Sequence, residues 1–174
     1  MSANKGQAWF TDLLIGTIIF AIALVAYIRV SSNISDTDER QLEELRLESE
    51  FIGSSLSGKG YPSPWDSGSV QKLGITNGER VIMDSKVQET SKIEYSTLKV
   101  LLGTRNDFYA HFQEPNGNVI SINGTCGIGK LNITNITAET CNNATVNAKY
   151  LVQSERLLYR NGLTKMMVYV WREK

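Results

Sequence analysis

The sequence predicts an α+β fold: a long N-terminal helix followed by an antiparallel β-sheet head domain that carries one short helix. Three observations predict it. Residues 13–28 read LLIGTIIFAIALVAYI, sixteen positions without a charge. From Glu39 a helical pattern resumes, with Leu42, Leu45, Phe51, Ile52 and Leu56 forming one apolar stripe and Glu and Arg between them. Near the C-terminus two β-rich runs, 150–159 and 163–171, are joined by Arg160-Asn161-Gly162, a strong hairpin signal.

Taken in order, the elements begin with one helix from about Trp9 to about Leu56, apolar all round in its first half and amphipathic in its second. A break in the polar stretch 31–35 would instead make two helices. Gly58, Gly60, Pro62 and Pro64 end helical structure, and Tyr61-Pro-Ser-Pro-Trp65 reads as an ordered turn. Short strands are expected at 70–75 and 80–83, on either side of Asn77-Gly78. Ile93, Leu98, Leu101 and Leu102 recur at helical spacing up to Gly103, which predicts a helix over 88–102 with a glycine end. Phe108, Ala110 and Phe112 alternate with Tyr109 and His111, and 119–122 follows a Pro115-Asn116-Gly117 turn, which predicts a further hairpin. The sheet is expected to have four to six strands.

The chain has 174 residues, 41% of them hydrophobic, which suits one globular domain plus an appendage. Lys and Arg number 18, as do Asp and Glu, so no excess charge points to nucleic acid. The uncharged run implies a membrane, either as a spanning helix or as the apolar core of a cleaved signal with a small-x-small site at Ala21-Ile22-Ala23.

Five N-x-S/T sequons occur, at Asn33, Asn123, Asn132, Asn135 and Asn143, and the last four surround Cys126 and Cys141. The cysteine spacing suits a disulfide closing a polar loop outside the cytoplasm, with two buried free thiols as the alternative. The single histidine, His111, cannot supply a four-ligand structural zinc site. No phosphate loop, nucleophile elbow or HExxH motif is present, so neither an enzyme nor a cofactor or metal is expected.

The N-terminus, MSANKG followed by QAWFTDLLIGTIIFAIALVAY, resembles the class III (prepilin) signal peptide and assembly helix of archaeal type IV pilin-like proteins. YPSPW, Leu101-Leu102-Gly103 followed by Asp107-Phe108-Tyr109, and the closing SER…NG…VYVW are similar to the same group. The resemblance implies a leader over residues 1–6, cut by a prepilin peptidase between Gly6 and Gln7, an assembly helix over 7–56 and an extracytoplasmic head over 57–174. It also implies that Asp12 pairs with the free amine of a neighbouring subunit, offsetting the cost of a charge in apolar surroundings and setting axial register. Bacterial-type pilins carry Glu at the fifth mature position; here Thr11 is fifth and Asp12 sixth. The expected partners are copies of the chain or other pilins, the membrane before assembly, and the peptidase. The expected function is a subunit of a surface filament with a glycosylated outer domain for adhesion. The alternative is a single-pass anchored binding domain that does not polymerise.

Overall fold

The computed structural model describes the backbone of residues 4–130, 141 and 148–172, and the side chains of all of these except 4–8 and 32–37. It has an α+β layout in which the long helix comes first and an antiparallel sheet with short helices follows. Helix α1 runs Asn4–Leu56, without the break considered at 31–35. The chain divides into two compact units, Met1–Gln41 and Leu42–Lys174. The boundary falls inside α1, so the last turns of the helix belong to the head rather than ending before it.

In the first unit, Trp9–Ser31 is a 23-residue helical stretch with none of its residues buried. At about 1.5 Å rise per residue it is roughly 34 Å long, enough for a hydrocarbon layer of about 30 Å.

In the second unit, strands β1 (Asp107–Gln113), β2 (Val119–Ile120), β3 (Gly127–Gly129), β4 (Tyr150–Tyr159) and β5 (Leu163–Arg172) form one antiparallel sheet in the order β2-β1-β5-β4. β3 shares with β2 the outer edge of β1. The central register sets Ala110 opposite Val168 and Val168 opposite Ser154. Strand alternation sends Phe108, Ala110, Phe112, Met166, Val168 and Val170 to one face, where all are fully buried. The hairpin expected at Arg160-Asn161-Gly162 forms, with Asn161 in the left-handed region at φ 54°.

Leu45, Ile52 and Leu56 of α1 join that core, and burying these three side chains contributes about 6 kcal/mol before chain entropy. The other two residues of the expected stripe do not join them: Leu42 is 41% and Phe51 58% exposed. Ser49 and Gly53 take the inward positions instead. These two small residues lie where the helix passes close to β4. Ser154 Oγ donates to the Ser49 carbonyl at 3.0 Å. A Cβ on Gly53 would lie 3.3 Å from Arg156 Cγ.

Two further expectations change. The helix read over 88–102 is two helices, α2 (Asp84–Ser91) and α3 (Tyr95–Leu102). Between them Ile93 turns into the core, and Glu94 adopts an extended conformation at ψ 140°, which a continuous helix could not accommodate. α3 ends as expected on Gly103 at φ 63°, a left-handed conformation that glycine adopts without a Cβ clash. The strands read at 70–75 and 80–83 reduce to isolated bridges, Tyr61↔Lys72, Thr76↔Ile82 and Val81↔Tyr159. Their backbone groups are drawn off to other partners: the Ile75 N–H donates to the Leu56 carbonyl at 2.8 Å and the Thr76 N–H to the Gly58 carbonyl at 3.1 Å. These bonds satisfy carbonyls at the end of α1 that no helical partner reaches.

Candidate functional site

The candidate site has two parts, the apolar stretch of α1 and the cysteine and sequon region of the head. Within Trp9–Ser31, large side chains such as Trp9, Phe10, Ile19, Phe20 and Ile22 are exposed on all sides of the helix. A helix apolar all round is stable only against lipid or other apolar surfaces. Asp12 is exposed in this stretch and brings its one acidic charge to it. Thr17 Oγ1 donates to the Leu13 carbonyl at 2.8 Å, so this hydroxyl is satisfied within the helix. Gly6 and Gln7 lie on the helical backbone, and their surroundings fall outside the described residues, as does the side chain of Asn33.

In the head, Cys126 and Cys141 are joined, with Cα atoms 5.5 Å apart and a separation of 15 positions in sequence. Both are buried. Cys126 is followed directly by β3, which lies so close to β1 that a Cβ on Gly127 would meet the Ala110 carbonyl oxygen at 2.4 Å. The disulfide thus ties Cys141 to the edge of the sheet. Asn123 is exposed in a turn just before Cys126; Asn132, Asn135 and Asn143 lie outside the described residues.

Polar chemistry elsewhere in the head is occupied in holding elements together. Burial works to raise the Asp107 carboxyl, but hydrogen bonds from Lys130, Tyr95 and Lys99 outweigh it and hold the group below the usual carboxylate range. The bidentate guanidinium of Arg160, at 2.7 Å on both oxygens, does the same for Asp84 and fastens the last hairpin to α2. Glu48 of α1 accepts from Thr104 and Asn106, and Asn106 Oδ1 in turn accepts from Arg172 at 3.2 Å. None of these three clusters was marked in the sequence, because each joins residues from different elements, 8 to 76 positions apart, whose local patterns are ordinary.

His111 is buried and stacks on Tyr169 with ring centroids 5.5 Å apart, and burial holds its pKa below the ordinary histidine value. Its neighbour Tyr109 is raised by burial to about 12. Both are packing residues on the second face of the sheet. Among the described residues no three His, Cys, Asp or Glu side chains are grouped to hold a metal ion. Compared with known proteins, the chain matches no family model, no curated protein and no solved structure.

Proposed function

We propose that this protein is a subunit, major or minor, of an archaeal type IV pilus-like surface filament. Its helix α1 would bundle with copies of itself or with other pilins after a prepilin peptidase removes residues 1–6. The head would face outward, carry glycans on its sequons and make adhesive contacts. The observation that carries this reading is the Trp9–Ser31 stretch, apolar on every side and wholly exposed, on the same helix that contributes Leu45, Ile52 and Leu56 to the head core. A helix of this kind requires an apolar environment outside its own chain, which the membrane provides before assembly and neighbouring helices provide afterwards. The leader-like MSANKG-Q start adds support.

N-terminal mass spectrometry of the native protein, with immunogold labelling of cell-surface filaments, tests the reading. A mature start at Gln7 and label along filaments are expected. A start at Met1 with label confined to the cell envelope would favour a single-pass anchored binding domain, and a start near Ile22 to Leu24 would mean a secreted domain.

A further inference from the structure

Asn123 presents an asymmetry within its own sequon. The asparagine is exposed, whereas Thr125, the hydroxyl residue that completes Asn123-Gly124-Thr125, is 7% exposed. The cause is a tight two-residue turn. Asn123 and Gly124 have φ of 49° and 81°, and Ile122 and Thr125 exchange both backbone hydrogen bonds at 2.9 Å. Positive φ at both central positions is the primed hairpin geometry, which suits Asn followed by Gly. Immediately after it, Cys126 is fully buried in its disulfide and Gly127 is pressed against Ala110 of β1. Thr125 is therefore clamped on both sides.

We propose that Asn123 accepts its glycan before the head domain closes, and not after. The proposal rests on the reading of the head as a glycosylated surface domain. In the transfer, the Asn123 amide nitrogen attacks the anomeric carbon of a lipid-linked oligosaccharide. A C–N bond forms as the C–O bond to the carrier phosphate breaks; the amide proton passes to a base on the transferase, and the phosphate leaves with its lipid. The acceptor motif requires the hydroxyl residue two positions on as well as the asparagine, so the transferase must reach both. In the folded head it reaches only the first. Thr125 forms part of the wall of a cleft of about 270 Å³ whose other walls include Thr90, Ser91, Tyr95 and Leu98 of the two short helices and their junction. With only 7% of its surface exposed, Thr125 leaves the transferase little of the hydroxyl residue to grip. Asn123 itself sits at the exposed corner of the turn, where a glycan attached earlier can remain.

The test offers unglycosylated full-length protein, folded and oxidised in detergent, to a purified oligosaccharyltransferase with its lipid-linked donor. A synthetic peptide of residues 118–130 serves as the open acceptor, and glycopeptide mass spectrometry reads Asn123. Transfer to the folded protein is expected to be at least tenfold slower than to the peptide. Gly127→Val, which should push β3 off β1, is expected to restore part of the rate in the oxidised protein. Equal rates for folded protein and peptide would overturn the proposal alone. No transfer to Asn123 in any of the three acceptors would overturn it together with the glycan-bearing reading of this turn.

Discussion

Lys86→Met separates two effects that act in opposite directions on one buried side chain. Lys86 is 9% exposed on α2, and its Nζ donates to the carbonyls of Lys59 at 2.5 Å and Thr76 at 2.7 Å. Thr76 is fully buried and its hydroxyl and N–H cap the end of α1, so the ammonium lies where the helix leaves its last carbonyls. Methionine keeps most of the aliphatic stem but donates nothing. The Thr76 carbonyl is then stranded at a cost of about 1–3 kcal/mol, while the Lys59 carbonyl, on an exposed residue, recovers a partner from water. Some of this loss is offset, because burial disfavours the charged amine. That same burial, followed by the nearby Lys59 charge, lowers the Lys86 pKa from 10.5. The expected net loss is therefore about 1 kcal/mol, in the lower part of that range. The pH dependence has the opposite sign. With the folded value lowered, the unfolded chain binds more protons between that value and 10.5, so the desolvation penalty is relieved as pH rises through this window. Guanidinium unfolding followed by fluorescence of the buried Trp65 and Trp171 reads both effects, and comparing wild type with Lys86→Met at each pH cancels the contributions of other titrating groups. Equal stability of the two proteins at pH 7 would refute the hydrogen-bonding role assigned to Lys86.

The assembly reading predicts that Asp12→Ala lowers surface-filament yield while membrane-fraction abundance stays at the wild-type level; unchanged filament yield would rule out a register role for this carboxylate. Cys126→Ser with Cys141→Ser should cost on the order of 3 kcal/mol for a loop of 15 residues, measured by denaturant unfolding against the oxidised wild type. His111 is held neutral by burial, so its stability contribution is complete above its unfolded value of 6.5 and declines as pH falls below it towards the lowered folded value. His111→Gln should therefore remove part of the acid sensitivity seen in thermal melts between pH 7 and 5.

How far the sequence could be read depended on the range of the interaction. The apolar run 13–28, the Gly103 helix end and the Arg160-Asn161-Gly162 hairpin are written within a few positions of one another, and each rests on a local rule: hydrophobic period, left-handed capping or turn chemistry. The α+β layout followed from these signals alone. Tertiary contacts decided what no local pattern contains. Phe51 has the stronger apolar character, yet Ser49 and Gly53 face the core, because that side of α1 is the one that packs along β4. Residues 70–75 and 80–83 have strand-like composition, but their hydrogen bonds serve the end of α1 instead of a ladder. The Asn123 sequon reads the same as its neighbours in sequence; the pairing of Ile122 with Thr125 and the pressure of Gly127 on Ala110 are what bury its threonine. Periodicity and turn propensity are properties of neighbouring residues, whereas approach distance and burial belong to segments that meet only when the chain has folded.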